Sequence, residues 1–174
     1  GYASTLADSH AAHLITELIL LPGKPMLRPV GRLDIETEGL IFLTDDGGFL
    51  YRLTHPKFEI EKQYLVTVYG TPTAEQIAQL TQGVRIDDGS LVKADKARLV
   101  KTFTASNTAD IEIIIHQGRN RIVRRMCSGL GLPLARLVRT RIGFITLGSI
   151  PVGGWRHLTP PEVARLTGDD TDLN

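Results

Sequence analysis

Arg32 and Asp34 stand two positions apart in the stretch PVGRLDIETEGLIFLTDDG, residues 29–47, with Glu36 and Glu38 close behind. A guanidinium beside a carboxylate favours its ionised form, and an ionised carboxylate is what a nucleophile or a general base requires. The plainer reading of Arg-Leu-Asp is a surface turn, and the spacing alone does not separate the two. The second group with chemical potential is a run of arginines. From Glu112 to Glu162 there are 49 residues without an acid, holding Arg119, Arg121, Arg124, Arg125, Arg136, Arg139, Arg141 and Arg156 and no lysine. The rest of the chain carries 12 basic against 19 acidic residues, so the overall net charge of +1 conceals a strong asymmetry. A basic face on an acidic body is the footprint of a polyanion site. Arginine in particular suits bidentate phosphate contacts and stacking on bases. Against this stands a set of solvated arginines whose acidic partners come from elsewhere in the fold.

Other chemistries lack their parts. The five histidines, at 10, 13, 55, 116 and 157, are scattered, and Cys127 is the lone cysteine. His10 and His13 share an i, i+3 spacing without a third ligand nearby, and Asp45-Asp46-Gly47 is ordinary turn sequence, so no metal site is expected. Neither GxGxxG nor a P-loop is present, which leaves no mechanical basis for a nucleotide cofactor. Cys127 follows Arg124 and Arg125, which would lower a thiol pKa, but no base stands near it; a buried helix cysteine is expected. One cysteine fits a reducing compartment, and no apolar run approaches the roughly 20 residues that span a bilayer. The expectation is a cytoplasmic protein without membrane or small-molecule cofactor.

The elements that must position these residues read as a mixture. Helices are predicted over Ala11–Leu20, Thr73–Gln82, Arg121–Leu130 (closed by Gly131) and Pro160–Leu166. Strands are predicted at Leu40–Leu43, Lys62–Tyr69, Ala97–Phe103 and Ala109–His116, the last with Ile111, Ile113 and Ile115 on one face. Leu134–Leu147 reads as extended, one strand or two. Asp45-Asp46-Gly47 and Asp87-Asp88-Gly89 read as turns. At 174 residues, 42% hydrophobic and 22% charged, the chain suits one domain. The fold class is α+β, a mainly antiparallel mixed sheet with flanking helices.

Four segments then converge on one family. GRLDIETEGLIFLTDDG (31–47), EKQYLVTV (61–68), QGRNRIVRRM (117–126) and GLPLARLVRTRIG (131–143) occur in that order. Together they resemble the RsuA/RluB/RluE branch of pseudouridine synthases, most like the RluE type, from about Gly1 to Thr167. The resemblance implies the pseudouridine synthase fold with an active-site cleft across the sheet. It implies Asp34 as the catalytic aspartate, Tyr64 as the active-site tyrosine, Arg124 as the basic partner of the carboxylate and Leu137 beside a flipped base. With these go Arg32, Lys62, Arg119, Arg121, Arg125 and Arg139 as contacts to RNA. The implied reaction isomerises a uridine of ribosomal RNA, most naturally large-subunit RNA, in a monomer that needs no cofactor and no metal.

The chain departs from the family pattern in places. Ile122 stands where a polar residue is common, and Gln117 where an acid is common before Gly-Arg. GYASTLAD (1–8) resembles the stretch after the family's first strand, so the expectation is a catalytic domain over 1–174 that lacks that strand and carries no S4 domain. Two competing readings stay in view. One is a catalytically silent RNA-binding module with Asp34 as a turn residue. The other is a glycoside hydrolase, which needs opposed carboxylates and gives the arginines no purpose.

Overall fold

Lys62–Tyr69 (β4) is the strand that its β-branched and aromatic residues predict, and it sits in the middle of the main sheet. The computed structural model describes residues 14–23 and 26–169. Before β4 in the chain come β1 (Arg28–Val30), β2 (Glu38–Gly39), β3 (Phe42–Thr44) and the helix α1 (Gly47–Thr54). After it come α2 (Ala74–Gln82), β5 (Val84–Arg85), β6 (Leu91–Val92), β7 (Lys96–Phe103) and β8 (Thr108–Ile115). The chain continues through α3 (Ile122–Gly129), β9 (Leu134–Ile142), β10 (Ile145–Thr146) and α4 (Pro160–Thr167).

The main sheet runs β10-β9-β4-β8-β7, every pair antiparallel, and β2 joins β9 in parallel. One face is covered. Val66, Val68, Ala109, Ile111, Ile113 and Ile115 are fully buried there, packed against α2 and α3. The opposite face is a polar ladder: Gln63 Nε2 donates to Glu112 at 3.0 Å, Thr67 Oγ1 to Asp110 at 2.7 Å, and Arg98 Nε to Glu112 at 3.0 Å. Alternation at period two separates the two faces, as an antiparallel sheet with one wet side allows. The expected α+β architecture is therefore observed.

Helix positions follow from local chemistry. Thr73 caps α2 through a reciprocal box with Gln76, and Thr159 caps α4 in the same way with Glu162. In α3 the buried set Ile122, Val123, Met126 and Cys127 lies on one stripe, leaving Arg124 and Arg125 to leave the helix on different sides. A second, smaller core gathers Val30, Leu40, Phe42, Phe49, Leu53, Ile142, Ile145 and Leu166, beneath α1 and α4. The two cores meet along β9.

Several elements differ from the sequence reading. The helix expected over Ala11–Leu20 is, in its described part, a single 3-10 turn at Ile15–Leu18; residues 11–13, like GYASTLAD, His10 and His13, lie outside the described residues. Asp45-Asp46-Gly47 does not merely close a strand. Asp46 Oδ1 accepts from Gly48 N at 2.7 Å and Phe49 N at 3.1 Å and so starts α1. A turn aspartate and a helix cap use the same side-chain acceptor, so the dipeptide does not tell them apart. The discriminating signal was Phe49 and Leu53, four apart and both buried. The Leu134–Leu147 stretch is two strands, turned at Gly143 with φ +58.

Candidate active site

Where the two cores meet, the surface opens into a cleft of about 510 Å³. Val30 and Leu53 come from one core, Ile122 and Val123 from the other, and β4 and β9 form the floor. On that floor Tyr64 lies opposite Arg139, Lys62 opposite Ile142 and Val66 opposite Leu137. A register shift between Gln63 and Tyr64 brings both Arg139 and Ile142 to the cleft side, although three positions separate them. Re-aiming side chains is what a bulge does in a strand pair.

Asp34 arrives on the loop between β1 and β2, which is stitched to the floor at its far end. Leu40 N donates to the Arg139 carbonyl at 2.8 Å, and Arg139 Nε returns a bond to the Leu40 carbonyl at 2.8 Å. Between them Gly39 adopts φ +115, and a Cβ there would collide with the Arg139 backbone. Only glycine meets both demands. At the near end Thr37 N donates to the Asp34 carbonyl at 2.8 Å, closing a turn that turns the carboxylate into the cleft.

The start of α3 supplies the cations. Arg121 holds a left-handed backbone, φ +55, uncommon for a branched-free cation and costing about 1 kcal/mol. Its Nη1 lies 3.5 Å from Asp34 Oδ2 and its Nη2 3.4 Å from Glu36 Oε2. Arg124 Nε lies 3.9 Å from Asp34 Oδ2, and Arg124 Nη1 3.6 Å from Glu36 Oε2. The Arg124 fork is itself fixed, because Nη2 donates to the Glu36 carbonyl at 3.1 Å and to Thr37 Oγ1 at 3.2 Å. Two guanidinium groups thus flank the carboxylate at ion-pair distance, and neither makes a hydrogen bond to it. Arg124 Nε is buried without a hydrogen-bond partner, as are Arg139 Nη2 and Gln117 Oε1, all three from residues that line the cleft. Buried polar groups of this kind are rare, and Arg52 Nε, outside the cleft, is another.

Nine of the ten residues singled out in the sequence line this one cleft: Arg32, Asp34, Lys62, Tyr64, Arg119, Arg121, Arg124, Leu137 and Arg139. Their settings differ. Arg139 is only 3% exposed, part of the floor. Lys62 is pushed below the usual lysine range, first by burial and then by the Arg139 cation opposite its neighbour. Arg119 donates to Ser90 Oγ at 2.8 Å, on the β5–β6 hairpin. The tenth, Arg125, lies outside the cleft: its Nε is 2.6 Å from Asp87 and its Nη2 3.1 Å from Asp88. Sequence reading gave Thr37 no part in the site, and it noted Glu36 and Gln117 without placing them there. The signal for Thr37 was its place three residues after Asp34, where a turn hydroxyl reaches back over the loop.

The acid-free window does not produce a bare basic face. Arg121 and Arg124 meet Asp34 and Glu36, Arg125 meets Asp87 and Asp88, and Arg136 meets Glu38 at 2.7 Å. Arg141 lies 3.4 Å from Glu61 and Arg156 2.8 Å from Glu162. For all of these but Arg156, whose partner Glu162 follows closely in the chain, the fold brings from distant segments the acids that their own segment lacks. Cys127 is buried, and burial pushes its thiol up to about 12, so it stays protonated and unreactive.

The family model described as RNA pseudouridylate synthase matches residues 1–129. The ribosomal large subunit pseudouridine synthase B of Bacillus subtilis (strain 168) is 38% identical over 167 residues, which cover 95% of this chain and 67% of that protein. The ribosomal large subunit pseudouridine synthase E of Xanthomonas campestris pv. campestris is 40% identical over 144 residues, 76% of this chain and 77% of that one. A crystal structure of a pseudouridylate synthase superposes with a TM-score of 0.76 at 32% identity, over 88% of this chain and 65% of its own. The chain thus spans about two thirds of the length of the Bacillus and crystallised proteins.

Proposed function

The chain belongs to the RNA pseudouridylate synthase family, and from that premise we propose that it isomerises a uridine of ribosomal RNA to pseudouridine with Asp34 as nucleophile. The observation that carries this reading is the Asp34 carboxylate held between Arg121 and Arg124 over a floor of Tyr64 and Leu137. The relatives named for the large ribosomal subunit make its RNA the natural substrate.

A uridine inside a stack is out of reach, so the target nucleotide must be extruded, at least cost from a loop or a strained helix. In the cleft the base lies flat on apolar surface, with Leu137 on the floor and the Tyr64 ring as stacking partner. Asp34 attacks the nucleoside, at sugar or base, and the bond from the ribose to N1 breaks. The freed uracil turns, its C5 forms the new bond to the ribose, and the bond to Asp34 breaks, which returns the carboxylate. The proton leaves C5 and N1 gains one, so atoms and charge balance without a cofactor. The role of the arginines is to aim the carboxylate without consuming it. Their distances of 3.5 and 3.9 Å leave its oxygens free to attack, where a tight fork would occupy both lone-pair directions. Gln117 and Arg139 line the same cleft and offer polar side chains for the base edge.

The test is tritium release from ribosomal RNA labelled at uridine C5, comparing wild type with Asp34→Asn. Release by the wild type and its loss in the variant, with RNA binding retained, is the expected result. Equal release from both removes Asp34 from the chemistry. No release from either, with binding intact, leaves a silent RNA-binding module.

A further inference from the structure

One side of the cleft is bordered by a cluster that the reaction does not use. Leu53 and Thr54, at the end of α1, line the cleft. One helical turn earlier stands Tyr51, 49% exposed, on the same side of the helix as Thr54 and His55. Its ring centroid is 4.9 Å from that of His55 and 5.8 Å from that of Phe58, the latter edge-on. The Lys57 ammonium lies 5.3 Å from the Tyr51 centroid and 4.8 Å from that of Phe58, and Arg52 covers Phe58 at 4.0 Å. Resting on the function proposed above, we infer that this patch is a stacking platform for a single-stranded RNA nucleotide that flanks the extruded uridine, with Tyr51 under the base and Lys57 on its phosphate.

Three observations carry this. A tyrosine half exposed beside a cation presents both groups that single-stranded RNA binding uses, a ring face and a positive charge. The Lys57 ammonium rests on rings and pairs with no carboxylate among the described residues, so it is released to a phosphate without breaking an ion pair there. The patch is also continuous with the cleft wall through Thr54, so a strand entering the cleft crosses it. The acids nearest in sequence are Glu59 and Glu61, and Glu61 is engaged by Arg141. Trp155, another exposed aromatic with a neighbouring arginine, is differently placed: Arg156 is locked to Glu162 by two bonds of 2.8 and 2.9 Å. A strand of RNA thus finds a free cation at Tyr51 and a spent one at Trp155.

The experiment is steady-state tritium release on a protein-free ribosomal RNA transcript, for wild type, Tyr51→Ala, Tyr51→Phe and Lys57→Ala. Tyr51→Ala is expected to raise KM by about 5- to 50-fold, the worth of one stacked base, with kcat within about twofold. Tyr51→Phe keeps the ring and stays near wild type. Lys57→Ala lowers the salt slope of binding by about one. Wild-type KM in Tyr51→Ala overturns the platform, as does a fall in kcat that Tyr51→Phe shares. A defect seen only on assembled ribosomal particles overturns it too, assigning the patch to a protein. If the wild type releases no tritium, the functional reading fails first. Filter retention of the same transcript then decides the platform alone, and equal Kd for wild type and Tyr51→Ala overturns it.

Discussion

Arg124 and Arg125 are neighbours in the chain and opposites in the structure. Arg125 is stapled to the β5–β6 hairpin by two short bonds, 2.6 Å to Asp87 and 3.1 Å to Asp88. Arg124 has only long contacts to carboxylates, 3.9 Å to Asp34 and 3.6 Å to Glu36, and keeps a buried nitrogen without a partner. The first arrangement satisfies its charges and is finished. The second holds charges near each other and leaves their bonding capacity unspent. An ion pair that maximises its own energy has nothing left for a substrate, so completeness marks scaffold and incompleteness marks chemistry.

That contrast is broken most directly at Asp34. Asp34→Asn keeps the shape and loses the nucleophile, and turnover should fall by more than about 10³-fold while thermal unfolding stays near wild type. Next is Arg124. Arg124→Met removes the charge that aims Asp34 and should lower kcat by about 10²-fold. Arg124→Lys restores the charge without the fork and should recover part of that loss. A wild-type rate in Arg124→Met would make Arg124 a bystander.

The scaffold side should respond differently. Arg125→Met is expected to leave kcat within about threefold, since Arg125 lies outside the cleft, and to lower thermal stability only slightly, because exposed pairs contribute little. A kcat loss as large as that of Arg124→Met would erase the distinction between the two arginines. Lys62 gives a pH readout. Its folded pKa lies below 10.5, so between that lowered value and 10.5 the unfolded chain holds more protons. The penalty for burying the charge is complete at low pH and is relieved as pH rises, so stability should climb through that window. The difference in urea midpoint between wild type and Lys62→Met should narrow as pH is raised, because the methionine form lacks the penalty at every pH.

The smallest effect is at Glu162, held at about 2 by Arg156 and by the Thr159 N–H. A depressed carboxylate stabilises the fold above its ordinary value of 4.5 and loses that contribution as pH falls towards 2. Glu162→Gln should therefore flatten acid unfolding slightly over that range, with activity unchanged. A flattened profile in Asp34→Asn as well would mean that the site, too, is built for stability.

Much of this was legible in the sequence where one period or one cap decides the element. Lys62–Tyr69 was read to the residue and the helix at Thr73–Gln82 to within one, because alternation and helical spacing are local. The candidate site was legible as a set of residue types, and nine of its ten members share a cleft. What stayed hidden was every property that depends on distant segments meeting. Arg125 reads in sequence like Arg124, and only the hairpin at Asp87 and Asp88 separates them. The arginine window reads as a bare basic face because most of its acids lie 37 to 98 positions away, from Asp88 for Arg125 to Glu38 for Arg136. Helix α1 was missed because Asp46 looks the same whether it closes a turn or opens a helix.

Cys127 gives the molecule a built-in clock. The residue is 1% exposed on the helix that carries Arg124, and its proton is held to about pH 12. A thiol reagent meets it only when α3 lifts from the sheet, so the labelling rate is the rate for an open thiol multiplied by the fraction of time the helix is open. With no second cysteine in the sequence, every label counts the same event. Mass spectrometry of the unmodified protein then times the opening of this one helix, and each arginine variant carries its own control for whether it altered the chemistry or loosened the wall.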